Sequence, residues 1–138
     1  MLRHSGGLSG HKAPQGIYRG GGNTSSPRTF KSDNGKNPVR QSDLNIKFDE
    51  VTRKDMVYPD PTLGLSFSST VDRLRKLGIS GKVWRLPRNA RLPEGLVINY
   101  NDIEHPLINV AYKMTVDDLV RRLKQLEELM ENTGITIK

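Results

Sequence analysis

Leu96-Val97-Ile98-Asn99-Tyr100 and Leu107-Ile108-Asn109-Val110-Ala111-Tyr112 decide the fold class, because two apolar, β-prone runs follow one another with no helix between them. Asn101-Asp102 opens the intervening loop and His105-Pro106 ends it. Upstream, Lys82-Val83-Trp84-Arg85-Leu86 alternates and carries the only tryptophan, and Arg91 to Gly95 reads as a turn. Downstream, Thr115 and Asp118 form the ends of a capping box. They open a helix over Val116 to Asn132 whose Val116, Leu119, Val120, Leu123, Leu126 and Met130 share helical spacing. Gly134 is placed to stop that helix, and Ile135-Thr136-Ile137 to add an edge strand.

Toward the N-terminus, the spacing predicts a strand over Leu44 to Phe48 and another over Leu65 to Ser68. A short helix starts near Ser69, capped by Ser69 with Asp72 and stopped by Gly78, with Leu74 and Leu77 on its apolar face. Tyr58-Pro59-Asp60-Pro61 reads as a turn or connector, and Ile17-Tyr18-Arg19 as the first strand. Gly20 to Ser42 shows no periodicity and reads as a long loop, with Gly20-Gly21-Gly22 a flexible turn. That triple has neither the spacing of a dinucleotide fingerprint nor the Gly-Lys-Ser/Thr of a P-loop. Several strands and two helices outside strict βαβ alternation indicate an α+β fold. Its domain covers residues 16–138, behind a flexible basic segment over residues 1–15.

Composition narrows the chemistry. The chain has 138 residues and no cysteine, which excludes disulfides, thiolate metal sites and thiol catalysis. No stretch approaches the roughly 20 apolar residues of a membrane helix, so membrane insertion is not expected. The net charge is +7, but its distribution is uneven. Residues 1–42 hold seven basic residues and one acid, whereas residues 43–138 hold 15 basic and 14 acidic ones. The basic excess therefore belongs to the Gly-, Ser- and Asn-rich N-terminal part, which reads either as a solvated tail or as a phosphate-binding arm.

The candidate site lies in two fragments, Ile17-Tyr18-Arg19-Gly20-Gly21 and Gly64-Leu65-Ser66-Phe67-Ser68-Ser69. Arg19 offers a planar, permanently charged fork to a phosphate or carboxylate, and the serines offer hydroxyls that donate and accept. Alternation puts Ser66 and Ser68 on one side of their strand, and Ser66 within reach of Arg19 or of a ligand. His105 is the only histidine outside the N-terminal segment, and it is a candidate acid or base. One imidazole with Asp102 and Glu104 nearby does not make a zinc site, so no metal is expected. Trp84 reads as a core anchor, and core packing is the default for Tyr100 and Tyr112.

Gly64 to Ser68, Trp84-Arg85-Leu86-Pro87, Leu92-Pro93-Glu94-Gly95-Leu96, Asp102, His105 and Met114 together resemble a family. It is the small bacterial type VI secretion effector toxins with an ADP-ribosyltransferase-like fold. The resemblance covers Leu63 to Leu126 and the Ile17-Tyr18-Arg19 strand, somewhat more than half the chain. It implies two packed, mostly antiparallel β-sheets with flanking helices around a cleft for NAD, used as a substrate. It also implies export without a conventional signal peptide, interbacterial competition by action in the target-cell cytoplasm, and a cognate immunity protein over the cleft of a toxin otherwise monomeric. By the resemblance, Tyr18, Arg19, Ser66 and Ser68 contact NAD, and His105, Ser66 and Glu104 complete the catalytic set. The chain departs from the family pattern in having no Gln/Glu-x-Glu motif before the last helix. The macromolecular target, protein or nucleic acid, is not specified by these residues. Two other readings are a metal-independent ribonuclease toxin using a basic surface and His105, and a non-catalytic nucleic-acid-binding module.

Overall fold

The computed structural model describes residues 8–22, 27, 29, 39 and 43–138. Its architecture grows from β6 (Gly81–Leu86), which buries Val83 and Leu86. β6 lies between β2 (Ile17–Gly20) and β11 (Glu131–Ile137), both antiparallel to it. Ile17 pairs with Leu86 and Arg19 with Trp84. Side chains alternate across a strand, so Ile17 and Arg19 share one face and Tyr18 takes the other. The burial follows suit. Ile17 and Leu86 belong to the main core, whereas Tyr18 packs with Leu74, Val83 and Ile137 in a second, smaller cluster.

The two runs that decided the fold class are β8 (Leu96–Asn99) and β9 (Leu107–Val110), paired antiparallel with Leu96 opposite Val110. β5 (Leu65–Ser66) pairs on the far side of β9. A third sheet has the order β10 (Met114–Thr115), β4 (Lys54–Tyr58), β3 (Asn45–Asp49). The fourth pairs β1 (Leu8–Lys12) with β7 (Arg91–Pro93). Every named strand pair is antiparallel, and with the two helices the fold is mixed α/β. The strands divide into four small hydrogen-bonded sheets among the described residues, where two larger ones were expected.

Helix α2 (Val116–Leu129) begins as the sequence indicates, with the Thr115 hydroxyl accepting from the Asp118 N–H at 3.0 Å. It buries Val116, Leu119, Leu123 and Leu126. Each such side chain contributes about 1.5–3 kcal/mol, and this face joins the helix to the sheets. The helix ends before the expected Asn132, because Met130 turns to extended backbone and stays buried at the head of β11. Gly134 therefore stops no helix; it sits at positive φ where the β11–β6 register shifts.

Helix α1 (Val71–Lys76) is capped by Thr70, whose hydroxyl accepts from the Arg73 N–H, one residue beyond the expected Ser69. Gly78 at φ +77 ends it as expected. The Gly20–Gly22 triple is not a free turn: Gly21 donates to the Lys82 carbonyl and Lys82 to that of Gly22, so it prolongs the β2–β6 contact. Leu8–Lys12, read in sequence as part of a flexible segment, pairs as β1, and Ala13 beyond it is fully buried. Residues 1–7, and most of the long loop expected over residues 20–42, lie outside the described residues. Trp84 and Tyr100 pack against the core, whereas Tyr112 is exposed and its hydroxyl donates to Glu94, which raises the Tyr112 pKa. No helix among the described residues is long and apolar enough to cross a membrane.

Candidate functional site

The order of the two fragments in sequence becomes a contact in space. At its end, β2 meets the chain just after β5, where Tyr18 and Ser68 exchange two backbone hydrogen bonds of 2.8 Å each. Arg19 then reaches along that junction. Its NH1 donates to the Ser66 carbonyl at 2.7 Å and its Nε to the Pro27 carbonyl at 3.3 Å. Its guanidinium carbon lies 5.9 Å from the centroid of the Phe67 ring, within cation–π range. Thus Arg19 touches the backbone of Ser66, and the hydroxyl of that exposed residue is not a partner in this bond.

A backbone ladder brings His105 to the same place. Ser66 pairs with Leu107, the Phe67 N–H donates to the Pro106 carbonyl at 2.9 Å, and Ser69 donates to the Glu104 carbonyl at 3.2 Å. The preceding loop is closed by Asp102. Its carboxylate accepts from the Glu104 N–H at 3.0 Å and its carbonyl from the His105 N–H at 3.0 Å. Gly64 starts the ladder at φ +149, where a Cβ would meet the Ile108 carbonyl oxygen at 2.7 Å, so only glycine lets the strands approach this closely.

Together these contacts shape a cavity of about 310 Å³. Arg19, Ser66, Ser68 and His105 line it together with Phe67 and with Leu74, Leu77, Ile79 and Ser80, from α1 and the turn after it. The lining combines polar and charged groups with apolar ones, which suits a ligand that carries a ring or ribose and an anionic or hydroxyl group. Gly20 also lines it, and a Cβ there would meet Ile79 Cγ2 at 2.4 Å.

Of the six residues singled out in sequence, Arg19, Ser66, Ser68 and His105 line this cavity. Tyr18 and Glu104 are not among its lining residues. Tyr18 faces the α1 side of its strand, where it contributes, after Glu131, to holding Arg85 in its charged form. The Glu104 carboxylate is exposed and lies 3.9 Å from Arg73. The expected alternation along residues 65–68 also breaks: β5 ends at Ser66, and Phe67 and Ser68 are both buried beside it.

Phe67, Gly20 and Ile79 were not picked out as site residues in sequence. The signal that could have found Phe67 is an aromatic between two serines, a pattern that a core residue also gives. Among the described residues, no three His, Cys, Asp or Glu side chains gather as a metal-ligand group. In comparisons with known proteins, no family model, no curated protein and no solved structure matches this chain.

Proposed function

We propose that the protein is an antibacterial toxin of ADP-ribosyltransferase-like fold that binds NAD in the Arg19–His105 cavity and cleaves its nicotinamide–ribose bond. The observation that carries this reading is the convergence of Arg19, Ser66, Ser68 and His105, from separate parts of the chain, on a single cavity. The guanidinium of Arg19 supplies the positive charge that a pyrophosphate needs. The Ser66 hydroxyl is exposed at the wall and can donate to or accept from a ribose or a carboxamide.

In the reaction, the C–N bond electrons leave with nicotinamide, and a nucleophile from a protein, a nucleic acid or water adds to ribose C1. His105 accepts the proton that this nucleophile loses. The product is an ADP-ribosylated macromolecule or free ADP-ribose. In the same reading the toxin acts in the cytoplasm of a target cell after type VI delivery, and an immunity protein neutralises it by covering the cavity mouth. Glu104 has a supporting place at most, since its carboxylate turns toward Arg73.

The test is incubation of the purified full chain with NAD labelled in the adenylate part, with and without a bacterial lysate, following nicotinamide release and label on macromolecules. Release that disappears in Arg19→Ala and His105→Ala supports the proposal. Intact NAD and unlabelled macromolecules overturn it, and degraded RNA under those conditions would put the ribonuclease reading in its place.

A further inference from the structure

Arg19 and Gly20 line a second space, distinct from the Ser66–His105 cavity. It has a volume of about 170 Å³ and lies between the β5-β9-β8 sheet and α2. Its apolar walls include Leu44, Leu65, Leu96, Ile108, Leu119 and Leu123, with Val39 beside them. All but Leu44 are buried core residues, and the space between them is partly open to solvent. Core interiors ordinarily leave few voids larger than a water molecule.

The polar groups on this wall are already used by the fold. The Asn109 amide donates to the carbonyls of Asp60 at 3.3 Å and Leu63 at 3.1 Å, and its oxygen accepts from the Val110 N–H at 2.7 Å. Thr29 gives both its N–H, at 2.9 Å, and its hydroxyl, at 2.7 Å, to the Glu127 carboxylate. Asp43 is engaged within the protein as well. A phosphate or sugar would have to displace these bonds to be held here. An apolar molecule would displace none, and would gain the area it buries against the aliphatic side chains of the wall. The size fits too, since an apolar cavity of about 150 Å³ is known to hold benzene.

We propose that this cavity is a binding site for a small apolar molecule about the size of one benzene ring, separate from the Ser66–His105 cavity. The proposal stands without the NAD reading, because it uses neither Ser66 nor His105. The experiment is a benzene titration of the full chain with labelled Leu, Val and Ile methyl groups, followed by NMR and by thermal melts. Saturable shifts are expected at Leu65, Leu96, Ile108 and Leu119, with the methyls of Leu74 and Val83 in the smaller cluster unmoved. At tenfold excess over the Kd, the Tm is expected to rise by about 4–6 °C.

Leu123→Phe fills the space and is expected to abolish the shifts. Leu44→Phe, at a half-buried wall position, is expected to weaken them at least fivefold and serves if the first variant does not fold. Shifts that never saturate, that appear equally at Leu74 and Val83, or that persist in the filled variants overturn the proposal.

Discussion

Arg19 and Ser66, 47 residues apart in sequence, meet through a 2.7 Å hydrogen bond from the guanidinium NH1 to the Ser66 carbonyl. The bond aims the guanidinium along the junction of β2 and β5. Replacing Arg19 with alanine is expected to abolish nicotinamide release while costing only about 0.5–1.5 kcal/mol of stability, since the bond is open to solvent. Arg19→Lys keeps the charge but not the planar fork, and is expected to restore the stability more than the activity. Urea unfolding beside the NAD assay separates the two.

His105 is held by its backbone, and its imidazole only lines the cavity. His105→Ala is therefore expected to leave the Tm within about 2 °C of the parent. If His105 accepts the proton in the proposed reaction, the rate falls by about 10²–10⁴-fold. An unchanged rate removes His105 from the mechanism.

Gly20 is required by contact and not by backbone angle. An added Cβ would lie 2.4 Å from Ile79 Cγ2, so Gly20→Ala forces Ile79 to shift. The expected cost is about 1–3 kcal/mol. Combining it with Ile79→Ala is expected to recover part of that loss, which a double-mutant cycle by chemical denaturation measures directly.

Asp60 shapes the approach to β5. Its carboxylate accepts from the Thr62 hydroxyl at 2.6 Å and the Thr62 N–H at 2.9 Å, and these bonds hold its pKa below the ordinary aspartate value. A depressed carboxylate pKa stabilises the fold above the unfolded value, about 3.9. That contribution is lost as pH falls through the lower folded value. Stability measured by urea titration from pH 6 downward is expected to decline below about pH 4, and less steeply in Asp60→Asn.

Glu127 ties α2 to Thr29 through two hydrogen bonds to the same carboxylate oxygen. Glu127→Ala is expected to cost about 1.5–3 kcal/mol, as for bonds to a charged acceptor. In hydrogen exchange, the Thr29 amide is expected to lose its protection before the amides of α2 do.

The parts of the fold legible in sequence were those fixed by local pattern. The apolar face of α2 and its Thr115 cap repeat at helical spacing, and the β8 and β9 runs are apolar throughout. The β4 strand was missed because only Met56 and Val57 of its five residues are buried, and its pairing with β3 and β10 is a tertiary event. The β1 strand has one aliphatic residue in five and depends on a partner some 80 residues away.

The site divides in the same way. That Arg19 and Ser66 lie near one another was an expectation of the sequence. The bond goes to the Ser66 carbonyl, however, which any residue type would offer, and Phe67 as the third partner was not legible. Setting Tyr18 aside was not legible in sequence, because it depends on Tyr18 packing into the small cluster with Leu74, Val83 and Ile137, a tertiary event. For Glu104 the deciding fact was the proximity of Arg73 on another element, which no local pattern encodes.

The Tyr18–Ser68 bridge has a consequence for how the molecule opens. The β11-β6-β2 and β5-β9-β8 sheets each keep their own ladders, and this backbone bridge, beside the Arg19–Ser66 bond, sews the edge of β2 to the chain leaving β5. The proposed NAD cavity lies along that seam, so the seam can part by losing the two Tyr18–Ser68 bonds and the Arg19–Ser66 bond while both sheets keep their own ladders. The amides of Tyr18 and Ser68 then form one reporter: they exchange with solvent together, at a rate set by the parting of the seam and not by the unfolding of either sheet.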